Sequence, residues 1–198
     1  MKPRQAKTSP KLKIRPVTAS RWKDLEKLFG PRGACAGCWC MYWRLPHSQY
    51  KKQLGARNKR ALKKIVASGA KPGLLAYADE EPVGWCATAP REDYPRLANS
   101  RTLGKVAERP VWSVVCFYIA RRFRRRGVTQ SLLTAAVEYA RKRGAKIVEG
   151  YPVVPKTDRM PDTFAWTGLE SAFRKAGFRE VARRSPTRPI MRRSVGNF

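Results

Sequence analysis

Hydrophobic and polar positions along the chain alternate between two periods, and the sharpest change of period falls in its second half. Residues 111–119, VWSVVCFYI, are β-branched and aromatic with no internal Gly or Pro, a run that predicts a buried strand. From Thr129 onward Leu132, Leu133, Ala136, Val137 and Ala140 form one helical stripe, and Gly144 stands where a glycine ends the helix. Earlier, 12–17 reads as a short strand. A helix follows it, capped by Thr18 or Ser20 and running to Phe29, with Trp22, Leu25, Leu28 and Phe29 inward. A basic amphipathic helix is predicted over 58–67, with Leu62, Ile65 and Val66 inward. A hairpin is predicted from 73–77 and 83–88. A fifth strand over 146–151, a last helix over 168–175 and strands at 180–184 and 189–191 complete the reading. Residues 1–11 carry Pro, Lys and Ser without apolar periodicity and read as a disordered basic arm, followed by one domain over 12–198.

Between the central strand and its helix lies Arg124-Arg125-Arg126-Gly127-Val128-Thr129. A turn here aims unpaired backbone N–H groups and the positive end of the helix dipole at one point. Gly127 allows a tight turn and close approach, and the arginines add planar donors. These features favour a phosphate or pyrophosphate ligand.

The segment resembles the acetyl-CoA loop of the GNAT N-acetyltransferase superfamily, Arg/Gln-x-x-Gly-x-Gly/Ala between a strand and a helix, with Arg124, Gly127 and Thr129 at the defining positions. Thr129 departs from the small residue of that pattern. Phe173-Arg174-Lys175-Ala176-Gly177-Phe178 resembles the superfamily's late Tyr-x-Lys-x-Gly-Phe, with Phe173 where many members carry a catalytic tyrosine. The resemblance implies an α/β fold of GNAT type: a mixed, mostly antiparallel sheet with flanking helices, its fourth and fifth strands splayed around the cofactor. It also implies an acyltransferase that moves an acetyl group directly from acetyl-CoA to an amine. By that resemblance Phe117, Tyr118 and Ile119 supply backbone partners to the pantetheine, while Arg124, Arg125, Arg126, Gly127, Val128, Thr129 and Gln130 hold the pyrophosphate. The contrasting class is a CoA-binding module of the same fold that binds RNA, ribosome or another polyanion without turnover. Homodimers are common in the superfamily.

Composition adds a second theme. The chain of 198 residues has 43 Lys and Arg against 14 Asp and Glu, a net charge of +29, far beyond the need of one anionic cofactor. Such a balance suggests either attraction to RNA, ribosome or another polyanion, or a generally basic solubility device. No apolar run is long enough to span a membrane, and no apolar leader opens the chain, so a cytoplasmic location is expected. Five cysteines read as reduced thiols rather than a disulfide framework.

Candidate chemistry lies in three further places. Cys35, Cys38 and Cys40 with His47 could ligate zinc, but no second Cys-x-x-Cys is present and no metal is expected. In the same segment Trp39, Tyr42 and Trp43 are either substrate-pocket walls or core. Glu149 sits within a predicted buried strand, where a carboxylate has either an arginine partner or a task as general base. Phe173 cannot donate a proton, which leaves Tyr118, Tyr139, Tyr151 or water as general acid, Tyr118 being the named candidate. Glu92, Asp93 and Tyr94 are candidate contacts to a small-molecule or peptide amine.

Overall fold

The computed structural model describes residues 11–157 and 160–195, so all of the expected arm but Lys11 lies outside the described residues. Seven strands form one sheet: β1 (Leu12–Pro16), β2 (Gly73–Ala78), β3 (Glu81–Pro90), β4 (Trp112–Ile119), β5 (Ile147–Gly150), β6 (Arg179–Arg183) and β7 (Pro189–Ser194). Their spatial order is β1-β2-β3-β4-β5-β7-β6, and every pair is antiparallel except β4 with β5. Six helices accompany them: α1 (Trp22–Phe29), α2 (His47–Lys52), α3 (Ala56–Ala67), α4 (Pro95–Ala98), α5 (Val128–Arg141) and α6 (Glu170–Lys175). This is the mixed, mostly antiparallel α/β arrangement expected. Helix α2 and the short α4 are the elements the periodicity missed. Neither Thr18 nor Ser20 caps a helix; their hydroxyls bond each other at 2.9 Å, and a 3-10 turn at Ala19–Arg21 leads into α1.

Each face of the sheet buries one apolar layer. On one side Leu25, Phe29, Leu62, Trp85 and Cys116 pack together; on the other Val114, Phe117, Leu132, Leu133 and Phe173 do. Leu132, Leu133 and Ala136 of α5 are fully buried, and each leucine contributes about 1.5–3 kcal/mol by leaving water. Among the described residues no helix is long and apolar enough to cross a membrane.

Two irregularities shape the centre. Between β3 and β4 the register slips, pairing Ala87 with Cys116 and Thr88 with Val114, so Val115 bulges. Its carbonyl accepts the indole N–H of Trp43 at 3.2 Å. Beyond Val114↔Gly150 the ladder between β4 and β5 stops, and the two strands diverge.

Behind that divergence lies a buried polar knot. Glu149 is fully buried; Oε1 accepts from Arg91 Nη1 at 2.8 Å and from the Tyr151 hydroxyl at 2.7 Å, while Oε2 accepts from Arg192 Nε at 2.7 Å. Arg91, itself buried, also donates to the carbonyls of Leu103 at 2.8 Å and Leu97 at 3.4 Å. The knot therefore fastens β5 to β7 and to the 97–103 loop. Of the two sequence readings of Glu149, the arginine partner is the one the geometry bears out, and the general-base reading is corrected. Both oxygens are spent on partners, and none of the knot's side chains lines the cavity described below. Tyr151 belongs to the same knot, where burial and the Glu149 charge push its hydroxyl far above its usual range.

Removing one member of a buried charge set leaves the others unpaired. Glu149→Ala is expected to cost about 3–5 kcal/mol in urea unfolding. A loss below about 1 kcal/mol would mean that Arg91 and Arg192 find water or other acceptors instead.

Candidate functional site

The diverging ends of β4 and β5 open into a cavity of about 1140 Å³ that runs from the segment 34–43 to the turn before α5. Its floor is β4. Residues on a strand alternate their backbone groups between its two edges, and Phe117 N–H points away from β3 to the carbonyl of Trp166 at 2.6 Å. Phe117 and Ile119 thus face the opening. Tyr118, paired with Trp85 of β3, turns its backbone the other way and offers its ring instead, half-buried and edge-on to Phe29 with centroids 5.6 Å apart. Of the three residues expected to offer backbone partners, Phe117 and Ile119 turn backbone groups toward the opening and Tyr118 does not.

At the far end stands the basic turn. Gly127 has φ +77, a left-handed conformation, and precedes the first residue of α5; Arg125 is also left-handed at φ +59. The N–H of Ser131 is the first in the helix to find a backbone acceptor, the carbonyl of Gly127 at 3.1 Å. Among the described residues none accepts from the N–H groups of Arg125 through Gln130. Arg124, Arg125, Gly127, Val128, Thr129 and Gln130 all line the cavity. Arg126 does not. Its guanidinium lies 5.7 Å from the Phe123 ring, so what Arg126 offers the cradle is its backbone N–H.

A carboxylate already touches this cradle. Asp162 Oδ2 lies 3.0 Å from Arg124 Nη1, and Oδ1 lies 4.0 Å from Arg125 Nη2. Arg124 Nε also donates to the Ile119 carbonyl at 3.0 Å. Asp162 belongs to the connection between β5 and α6, of which Pro155, Lys156, Thr157, Met160, Thr163 and Trp166 also line the cavity. Beyond it, Gly168 accepts from Val153 N–H at 2.9 Å, and Val153 pairs in parallel with Leu169. One stretch of backbone, 166–169, thereby bridges the diverging strands.

At the other end the wall is aromatic. Tyr42 meets Trp43, Tyr50 and Trp166 edge-on, with centroids 4.9, 5.3 and 5.0 Å away. Trp39, the third residue of the sequence-predicted trio, is 4% exposed and packs on Trp22 and Phe29 at 6.0 and 5.4 Å. It is core. Burial and the nearby thiols push the Tyr50 hydroxyl up to about 12, so it stays protonated. Sequence reasoning missed Tyr50, Trp166 and Asp162, which sit in a short polar helix and an irregular connection where no periodicity marks them.

The cysteines meet at the same wall. Cys40 Sγ donates to Cys116 Sγ at 3.4 Å and accepts from the Trp85 indole N–H at 3.0 Å. Cys38 is pushed well above the usual thiol range by its bond to Cys40 and by burial, and Cys40 is raised by its bond to Cys116 and by burial. Neither is a ready nucleophile, since the thiolate is the reactive form. His47 is exposed at the start of α2, and among the described residues no group of three or more His, Cys, Asp or Glu is placed to hold a metal ion.

The remaining sequence candidates lie elsewhere. Glu92 is exposed, Asp93 pairs with Arg44 at 3.0 Å, and Tyr94 is buried under the Arg44 guanidinium; none lines the cavity. Tyr139 packs against Trp112 and Arg143, outside the cavity. Phe173 is fully buried among Phe117, Phe178 and the backbone of Gly150, where an added Cβ would lie 2.0 Å from its ring.

Comparison with known proteins agrees with this architecture. The family model described as "Acetyltransferase (GNAT) family" matches residues 38–156. No curated protein sequence matches. Among solved structures, the PaiA N-acetyltransferase of Thermoplasma acidophilum in complex with coenzyme A is 15% identical, with a TM-score of 0.53 over 93% of this chain and 99% of that one. A ribosomal-protein-alanine N-acetyltransferase from Brucella melitensis is 16% identical, at 0.54 over 92% and 99%. AAC(6')-Ib in complex with paromomycin and acetyl-CoA is 12% identical, at 0.53 over 93% of each chain. At such identities the structures speak for the fold, and the family model for descent. The chain belongs to the GNAT acetyltransferase family, whose members use acetyl-CoA as cosubstrate.

Proposed function

We propose that the protein is an N-acetyltransferase that transfers an acetyl group directly from acetyl-CoA to an amine seated against the aromatic wall. The observation that carries this reading is the row of unpaired N–H groups from Arg125 to Gln130 at one end of a cavity floored by free edge groups of β4. When bound, acetyl-CoA supplies a thioester carbonyl open to attack by an amine and a thiolate that leaves.

The residues present fit that cosubstrate. The N–H groups of the turn, the α5 dipole and the guanidiniums of Arg124 and Arg125 suit a pyrophosphate. Lys156 and Lys175 add positive charge along the same cavity. Phe117 C=O and Ile119 N–H face the opening and offer strand-like hydrogen bonds to an extended amide chain. Tyr118 lines the cavity, and its hydroxyl serves as proton donor to the leaving sulfur. No carboxylate lines the aromatic end among the described residues, so the amine gives up its proton to water. The raised Cys38 and Cys40 thiols agree with direct attack rather than a covalent acyl-enzyme.

Three measurements follow from this assignment. Gly127→Asp introduces a side chain at a left-handed position and a negative charge in the cradle. It is expected to abolish the rise in melting temperature that coenzyme A gives the native protein, a rise equivalent to roughly 2.7 kcal/mol at one hundred times the dissociation constant. Unchanged stabilisation by coenzyme A would overturn the cofactor site. Asp162→Asn frees Arg124, and because exposed ion pairs are worth ~0.2–1 kcal/mol, coenzyme A should bind up to about fivefold tighter by titration calorimetry. Weaker binding would show that Asp162 supports the cradle instead of competing for it. Tyr118→Phe should lower kcat by about 10²–10⁴ while the affinity for coenzyme A stays put; an unaltered kcat moves proton donation to water.

A further inference from the structure

From Lys27 to Ala78 the chain carries no Asp or Glu, yet eleven Lys and Arg; all fourteen carboxylates lie outside this stretch. Several cations elsewhere in the fold have a carboxylate partner. Arg141 and Lys142 pair with Glu138, Arg174 and Arg183 with Glu170 and Glu180, and Arg192 with Glu149. Within the acid-free stretch Lys59 reaches Glu26 at 2.8 Å and Arg44 reaches Asp93. Lys51 and Lys52 of α2, and Arg57, Arg60, Lys63 and Lys64 of α3, are exposed and have no carboxylate within ion-pair distance among the described residues.

The arrangement of these six side chains is as informative as their number. Asn58, Leu62 and Val66 bury one side of α3, which fixes the opposite side outward. Arg57, Arg60 and Lys64 recur there at three and four residues, about 4.5–6 Å apart along the axis. Like charges so close repel one another in the free protein, and a row of closely spaced fixed negative charges relieves that repulsion better than one small anion. The apolar side chains of α3 are committed to the core, and among the described residues Leu54 is the one large apolar side chain exposed near the patch. A single leucine is little to sink into a bilayer, and interfacial helices need a whole apolar side for that. Tyr50 of α2 lines the cavity, so this face borders its aromatic end.

We infer that the α2–α3 face is a docking surface for the phosphodiester backbone of a nucleic acid, placed beside the acceptor end of the cavity. Binding is electrostatic, with each phosphate contact releasing counterions. Sequence enters little, because backbone contacts position a strand without reading its bases. Docking needs neither Tyr118 nor the loop at Gly127, so it stands whether or not the transferase assignment does.

The test measures fluorescence anisotropy of a labelled single-stranded RNA and a labelled DNA duplex between about 50 and 200 mM salt, with phosphatidylserine vesicles sedimented in parallel. The native protein should bind nucleic acid with log K falling steeply against log salt. Arg60→Glu with Lys63→Glu and Lys64→Glu should weaken binding and flatten that slope by about 2, the loss of three single-strand contacts. Lys51→Glu with Lys52→Glu gives a second variant on a separate helix, expected to act in the same direction. A control carrying the same change of charge, Arg101→Glu with Arg109→Glu and Arg179→Glu, should leave both affinity and slope near native values. Stabilisation of each variant by coenzyme A reports that the fold and cavity persist. Preference for RNA or for the duplex names which backbone fits, and binding of either through this face supports the inference. Equal losses in the control and the α3 variant would overturn it, as would binding to vesicles without binding to either nucleic acid.

Discussion

A sheet tolerates a gap in its middle only if something else satisfies the backbone groups the gap exposes, because an unpaired buried peptide group costs about as much as a lost hydrogen bond. This constraint governs the whole molecule. β4 and β5 part after Val114↔Gly150, and the freed edges receive three partners. Trp166 C=O takes Phe117 N–H, Gly168 C=O takes Val153 N–H, and Arg124 Nε takes Ile119 C=O. What these leave over, with the helix-terminal amides of α5, is a surface of oriented donors and acceptors in the centre of the sheet. The chemistry proposed for the cavity is a consequence of that leftover capacity. The Glu149 knot lies on the paired side of the gap and ties β5 to β7, so the divergence begins at a fastened point and not in a frayed strand.

Charge is arranged around the same gap at two scales. Locally, Asp162 sits on Arg124 in the free protein, so an anionic ligand entering the cradle exchanges one carboxylate for another anion rather than meeting a bare cluster of arginines. The exchange lowers the repulsion among Arg124, Arg125 and their neighbours before binding and costs a fraction of the ligand's affinity. Across the molecule, carboxylates accompany the cations of α5, α6, β6 and β7 and are missing from the connection between α1 and β2.

Elements with a committed apolar face were legible in the sequence, and those without one were not. α5 writes its stripe in Leu132, Leu133, Ala136 and Val137, and the β2–β3 hairpin turns through Asp79 and Glu80, both left-handed at φ +47 and +61. By contrast α2, HSQYKK, buries no residue completely, so periodicity had nothing to mark. The segment 34–43 failed for a different reason. Ala34, Ala36, Trp39 and Cys40 all adopt left-handed backbone, and such a path scrambles the inward and outward alternation by which Trp39, Tyr42 and Trp43 would be sorted. Trp39 goes to the core while its two neighbours reach the cavity. For Glu149, burial was legible and the partners were not, since Arg91 and Arg192 approach from 58 and 43 residues away.

The same packing logic accounts for the phenylalanine that stands where many relatives carry a catalytic tyrosine. Phe173 is enclosed by Phe117 and Phe178 at centroid distances of 6.2 and 5.0 Å, and Gly150 and Gly168 press their backbones against its edges. A hydroxyl added there would meet apolar rings, and leaving it unpaired costs about 1–3 kcal/mol. The position is thereby closed to a proton donor by its own neighbours. Tyr118 is one residue along β4 from Phe117, so its side chain leaves the strand on the opposite face. That face carries the aromatic wall. In the proposed reaction proton donation therefore falls to Tyr118 on that face, and Phe173 serves to anchor α6 against the sheet.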